Sequence, residues 1–210
     1  MAEPEQVSLP VVHGTGELIG DLTLPDRNGP LVVFAHGSGS SRHSSRNRWV
    51  AEQLQEAGIG TLLMDLLTPD EDRADVHAEL RFNIPLLTVR VLGVLDWWRG
   101  PAGLFGASTG AAAALGAAAR RPDVVQAVVS RGGRPDLASE ALQNVRAPTL
   151  LIVGGSDMEV LELNRRTAEQ LRAPHDLHVV DGATHLFEEP GALEQAATVA
   201  TSWFTQYLLA

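Results

Sequence analysis

The chain has 210 residues, enough to bury the core of one α/β domain, and its 44% hydrophobic and 20% charged content is that of a globular protein. Sixteen Lys and Arg against 26 Asp and Glu give a net charge of −10, which argues against nucleic acid or an anionic membrane as partner. Cysteine is absent, which excludes disulfides, thiolate zinc sites and a cysteine nucleophile, and no apolar run reaches the roughly 18 residues of a membrane span. The start, MAEPEQVSLP, is acidic and lacks a basic and apolar leader, so a cytoplasmic location is expected.

Val7 to Val12 and Glu17 to Leu24 read as two edge strands joined by His13-Gly14-Thr15-Gly16, a glycine-rich connection that suits a hairpin. Leu31 to Ala35 is a continuous apolar run, the pattern of a strand covered on both faces, and it ends in a flexible stretch, His36-Gly37-Ser38-Gly39-Ser40. A helix is expected from about Asn47 to Ala57, stopping at Gly58, and then a buried strand over Gly60 to Leu67. Thr68 to Leu80 is acidic and reads as exposed loop. Ile84 to Trp98 is a helix with an apolar stripe at Ile84, Leu87, Val91, Leu95 and Trp98.

Ala102 to Arg120 (AGLFGASTGAAAALGAAAR) reads as a short apolar strand, a tight turn at Gly106-Ala107-Ser108-Thr109-Gly110, and an alanine-rich helix. Val124 to Ser130 is a further apolar strand closing at Arg131-Gly132-Gly133, and Asp136 to Val145 a short helix. Pro148 to Val153 is a strand ending in Gly154-Gly155-Ser156-Asp157, and Met158 to Arg172 a helix. Leu177 to Val180 is the last strand, followed by Gly182-Ala183-Thr184-His185. The final helix, from about Pro190, lines up Leu193, Ala196, Ala197, Ala200, Trp203, Phe204, Tyr207 and Leu208. The alternation predicts one α/β domain over residues 1–210, a doubly wound, mostly parallel eight-stranded sheet with an antiparallel start.

G-x-S-x-G between a strand and a helix is the nucleophile-elbow pattern. Its physics is steric: the Ser occupies a strained turn that raises its hydroxyl above the sheet, and glycines two residues either side let the strand and helix backbones pass. In open α/β sheets a ligand sits beyond the carboxyl ends of the strands. The residues at those ends are His36-Gly37-Ser38, Ser108, Arg131, Asp157 and His185. Three of them are Ser, Asp and His in the chain order of the α/β-hydrolases.

On these residues, HGSGSS after the third strand, GASTG at the elbow, GGSDMEV after the seventh strand and GATHLFEEP after the eighth, the chain resembles the α/β-hydrolase superfamily and, within it, the small single-domain dienelactone-hydrolase-like branch. The resemblance runs from about Val7 to Leu208. It implies Ser108 as nucleophile, His185 as its base and Asp157 as the acid that orients the imidazole. It also implies an oxyanion hole from the backbone N–H groups of Thr109 and Ser38. Dienelactone hydrolases proper use a cysteine nucleophile where this chain has Ser108, so the resemblance implies carboxylesterase-type chemistry on a small-molecule ester in place of dienelactone. Each residue has a plainer reading: His185 as a surface-loop histidine, Asp157 as only an N-cap for the helix at Met158, with Asp181 the neighbouring alternative for the acid. His36 is expected to pack or hydrogen-bond within its own loop and not to act as a second base.

Arg42, His43, Arg46 and Arg48 cluster before or within the first turn of a helix, where positive charge opposes the helix dipole. With Arg131 at a strand end, Arg42 and Arg46 could hold a substrate carboxylate or phosphate; the alternative is a solvated loop paired with Asp70 to Asp75. The short link between Arg131 and Pro148 leaves no room for a lid domain, so an open site for small or exposed esters is expected. Lactones and thioesters are also compatible. The competing class is a non-catalytic binding module of the same fold. Similar domains occur fused to phosphoribosyltransferase-like domains, but no acidic pyrophosphate loop is found here. No G-x-G-x-x-G follows the first parallel strand and the histidines lack ligand spacing, so neither cofactor nor metal is expected. Substrate identity and oligomeric state are left open.

Overall fold

The structure, a computed structural model, describes residues 3–12 and 14–209. It is built on one eight-stranded sheet. The strands are β1 (Glu5–Leu9), β2 (Leu18–Thr23), β3 (Leu31–Ala35), β4 (Gly60–Met64), β5 (Ala102–Ala107), β6 (Val125–Arg131), β7 (Thr149–Gly154) and β8 (His175–Val180). Their order across the sheet is β1-β2-β4-β3-β5-β6-β7-β8. β1 and β2 form the expected antiparallel hairpin, β2 pairs antiparallel with β4, and every other pairing is parallel. β1 stops at Leu9, before the anticipated Val12, because Pro10 has no N–H to donate. The anticipated connector residue His13 lies outside the described residues.

The apolar runs become strands buried on both faces. Along β3, Leu31, Val33 and Ala35 face one core cluster while Val32 and Phe34 face the other. The first cluster is closed by α3 (Ile84–Trp98) and α4 (Thr109–Arg120), the second by α1 (Ser45–Glu56) and α6 (Ala192–Leu208). α5 (Met158–Gln170) packs on β7 and β8. Alanine and glycine along α4 keep it so close to the sheet that almost its whole length is buried.

Two sequence expectations change. Thr68 to Leu80 is not an open loop: it carries α2 (Pro69–Ala74), started by a capping box in which the Thr68 hydroxyl accepts from Glu71 N–H and the Glu71 carboxylate accepts from Thr68 N–H. The acidic residues there favour a helix N-terminus. Behind it, the buried Asp75 carboxylate accepts from the N–H groups of Leu80 and Arg81 and from Arg81 Nε. Asp136 to Val145 does not form an α-helix but two 3-10 turns, Pro135–Ala138 and Leu142–Asn144. These turns rise about 2.0 Å per residue against about 1.5 Å for an α-helix, which lets a short link reach back to β7 while burying Pro135, Leu142 and Val145. This link is all that lies between β6 and β7, so no lid domain covers the sheet there. No helix among the described residues is long and apolar enough to cross a membrane.

Strand order reverses at β3, whose neighbours are β4 on one side and β5 on the other. Such a switch point opens a crevice at the carboxyl ends of the strands. The loops after β3 and β5, with Gly37-Ser38 and Ser108, flank it.

Candidate active site

Ser108 follows β5 directly and precedes the first residue of α4, Thr109. Its backbone sits at φ 51° and ψ −123°, a conformation that costs a non-glycine residue on the order of 1–3 kcal/mol. The turn is locked from several directions. Ser108 N–H donates to Arg131 O, and Ser108 O accepts from Ala111 N–H and Arg134 N–H. Neither flanking glycine tolerates a side chain: a Cβ on Gly110 would stand 2.2 Å from Ala35 O, and one on Gly106 2.4 Å from Ala111 Cα.

His185 lies in the loop after β8, and its Nδ1 is 2.7 Å from Asp157 Oδ2. Asp157 stands at the N-cap position of α5, yet its side chain makes no capping bond. The carboxylate is turned onto the imidazole instead. Asp181 is exposed, and the carboxylate bonded to His185 is that of Asp157. The His185 loop is braced by Glu189, which accepts from both Thr184 N–H and Thr184 Oγ1. Those hydrogen bonds hold the Glu189 carboxyl below its usual range.

The loop after β3 is held by His36. Its Nε2 accepts from Leu66 N–H at 3.2 Å, which places the proton on Nδ1, 2.8 Å from Gly37 O. Burial outweighs that backbone bond and lowers the His36 pKa, in keeping with a neutral ring whose Nε2 accepts from Leu66 N–H. Gly37 runs against Ser108: a Cβ on it would be 3.1 Å from Ser108 Cβ. Ser38, Ser108, Arg46, Asn47, Arg131 and His185 all line one cavity of about 240 Å³. Thr109 N–H opens α4, where the first N–H groups have no intrahelical acceptor.

A crystal structure of a dienelactone hydrolase from Anabaena variabilis is 52% identical, covers 98% of this chain and 99% of its own, and superposes with a TM-score of 0.93. The model of the dienelactone hydrolase family matches residues 97–208. The chain belongs to the dienelactone hydrolase family. This places it among hydrolases. Est1E from Butyrivibrio proteoclasticus (17% identity, TM-score 0.82, 98% of this chain and 99% of that one) shares the fold, as does an α/β serine hydrolase without a lid from Xanthomonas campestris (21%, 0.77, 99% and 96%). Two Mycobacterium tuberculosis proteins, provisionally named phosphoribosyl transferases, are 55% identical over 205 residues, 94% of this chain. The chain spans about half the length of these curated relatives, 46%.

In this dienelactone hydrolase family member the arginines divide. Arg42 does not reach the Ser108 cavity. Its backbone N–H and its Nη1 both bond Asp65, at 2.8 and 2.5 Å, and its Nε reaches Asp21 at 3.4 Å. Arg48 also pairs with Asp21. These partners are not the Asp70 to Asp75 segment, whose members pair with Arg73, Arg81 and Arg90. Arg46 lines the Ser108 cavity and, among the described residues, its one carboxylate partner is the exposed Glu188, at 3.7 Å.

Arg131 is 5% exposed and pairs with no carboxylate among the described residues. Its Nη2 donates to Asn47 Oδ1 at 3.1 Å, its guanidinium carbon lies 5.5 Å from the centre of the Phe187 ring, and its Nε finds no partner. Burial, with the nearby charge of Arg46, lowers its pKa to about 10, so it remains protonated at neutral pH.

The sequence reading missed Asn47, Phe187 and Asn164. Asn47 had a signal: it occupies the core stripe of α1 with Val50, Ala51 and Leu54, where a polar residue is out of place. Asn164, buried on α5, donates to Gly133 O and steadies the loop after β6. No metal-binding cluster of His, Cys, Asp or Glu occurs among the described residues.

Proposed function

We propose that this protein is a serine hydrolase that cleaves carboxylic esters through an acyl-enzyme on Ser108. The observation that carries the reading is the Asp157 carboxylate, turned away from its own helix and onto His185, in a site where Ser108 is raised on a strained turn. Ser108 Oγ attacks the acyl carbon while His185 Nε2 takes its proton. Asp157 holds the opposite tautomer and stabilises the imidazolium. The N–H groups of Thr109 and Ser38 receive the oxyanion. His185 then protonates the departing alkoxide. A water, deprotonated by the same ring, attacks the acyl carbon, and return of the proton to Ser108 Oγ frees the acid.

Arg131 and Arg46 share this cavity with His185, so the preferred ester carries a carboxylate or phosphate close to its leaving oxygen. A buried cation with no counter-charge pays most of its desolvation in advance and gains the full attraction of an incoming anion. Arg42, paired twice, is a brace for the loop. Lactones are cyclic esters open to the same steps, and the 52% identical Anabaena protein is named for one. The transferase name of the mycobacterial relatives belongs to proteins of about twice this length and is not carried over.

The test is hydrolysis of p-nitrophenyl esters by wild type and Ser108→Ala at matched stability. Turnover that depends on Ser108 supports the reading. Equal activity in both proteins would sink the assignment, and a wild type inactive on esters and lactones alike would favour a binding module.

A further inference from the structure

We infer that a second cavity, which borders the same Gly37-Ser38 loop but is not lined by His185, is the acyl subsite and takes an uncharged, apolar acyl chain; the inference rests on the serine-hydrolase reading above. This cavity measures about 320 Å³ and shares Gly37, Ser38 and Ser40 with the one that holds Ser108. It is at the lower end of the roughly 300–1,000 Å³ common for small-molecule sites.

Direction follows from proton transfer. His185 must deliver its proton to the leaving oxygen, so the leaving group lies on the side of that ring. His185 lines only the first of the two cavities. With the carbonyl at Ser108, the acyl chain therefore extends the other way, past Ser38.

Chemistry follows from the lining. Leu66, Leu67 and Leu87 are buried there and Ile19 is half-buried. Charged groups are present, but each is already satisfied. Arg42 is held by Asp65 and Asp21, and Arg81 by Asp75 at 2.8 Å and Asp72 at 3.8 Å. His36 is neutral, and His43 Nδ1 lies 2.8 Å from Arg48 Nη2, which fixes it as an acceptor. A charged acyl chain would find no free counter-charge among the described residues and would lose its hydration, whereas an apolar chain gains from the surface it removes from water. The two cavities thus differ in their free charge: on the leaving-group side a guanidinium without a carboxylate partner among the described residues, on the acyl side arginines already ion-paired beside an apolar patch of Ile19, Leu66, Leu67 and Leu87.

The test compares kcat/KM for acetyl, butyryl and octanoyl p-nitrophenyl esters in wild type, Ile19→Trp, Leu67→Phe and Ile19→Ala. Ile19→Trp and Leu67→Phe should lower the octanoyl-to-acetyl ratio by at least about tenfold. Ile19→Ala should move the preferred chain length upward, an opposite shift that misfolding cannot produce. Loss of Ser108 dependence would overturn the serine-hydrolase reading itself. Ser108-dependent activity with the same acyl profile in all four proteins would overturn only the subsite. Should no ester be turned over, methyl octanoate is titrated calorimetrically into Ser108→Ala and into Ser108→Ala/Ile19→Trp. Binding lost in the double variant supports the subsite; no binding, or equal binding, overturns it.

Discussion

Asp157 Oδ2 lies 2.7 Å from His185 Nδ1 although the two residues are 28 positions apart and Asp157 has a helix N-terminus of its own to cap. A carboxylate that leaves its cap forgoes roughly 0.5–2 kcal/mol of helix stability. On the proposed reading its role lies with the imidazole. Asp157→Asn should lower kcat by about 10⁴-fold, because an amide cannot enforce the tautomer that leaves Nε2 free to accept a proton. Asp181→Asn is the control and should leave kcat within about twofold. Steady-state kinetics on one short ester decides it; a drop below tenfold in Asp157→Asn would remove Asp157 from the mechanism.

Gly110 and Gly106 make the turn at Ser108 possible by their missing side chains. A Cβ on either meets backbone atoms at 2.2 or 2.4 Å, and backbone cannot swing aside as a long side chain can. Gly110→Ala and Gly106→Ala should each cost more than about 4 kcal/mol or leave no folded protein. Gly39→Ala, where no atom lies within 4 Å of the new Cβ, should change stability by under about 1 kcal/mol. Urea unfolding followed by circular dichroism measures all three.

Arg131→Gln removes the buried charge while keeping an amide donor for Asn47. A hydrogen bond to a charged group contributes about 1.5–3 kcal/mol, so the preference for anionic over neutral leaving groups should fall by about tenfold or more, chiefly through KM. Unfolding free energy should hold or rise, since an uncompensated buried cation is lost. Unaltered selectivity would restrict Arg131 to packing between Phe187 and Asn47.

His36 makes stability depend on pH. Burial lowers its pKa in the folded protein, with the Gly37 bond and the charges of Asp65 and Asp72 acting in the other direction. Between the folded value and the unfolded value of about 6.5 the unfolded chain binds more protons, so stability rises with pH there. Stabilisation is full above about pH 6.5 and is lost as the pH falls below it. Urea unfolding at pH 7.5 and 5.5 should show a larger decrease for wild type than for His36→Gln. An equal decrease would mean that His36 is protonated in the folded state.

Asp75 acts at lower pH. Burial disfavours its charge, but the bonds from Arg81 and from the Leu80 and Arg81 N–H groups outweigh this and bring its pKa to about 2. A depressed carboxylate stabilises the fold above its unfolded pKa of about 3.9, and the contribution drains away as pH falls toward 2. Asp75→Asn should flatten the acid limb of the unfolding curve between these values, measured by tryptophan fluorescence.

The strands and the elbow were legible because their determinants are local. Leu31 to Ala35 is apolar at every position, short and β-branched-rich, as suits a strand covered on both faces, and all five are buried. Ser108 between two glycines announces a turn whose strain follows from Cβ sterics alone. The order Ser108, Asp157, His185 could be read from strand ends without coordinates. What the tertiary structure decided was partnership. Thr68 to Leu80 looked like solvated acid until Glu71 was seen capping with Thr68 and Asp75 was found buried against Arg81. Arg42 and Arg131 were alike in sequence, but Arg42 meets a carboxylate 23 residues away, whereas Arg131 meets no carboxylate among the described residues and bonds the amide of Asn47, 84 residues away. Whether a buried charge is paired or left open to a ligand depends on groups brought within a few ångströms by the whole fold, and Coulomb energy at that range carries no trace in the neighbouring sequence.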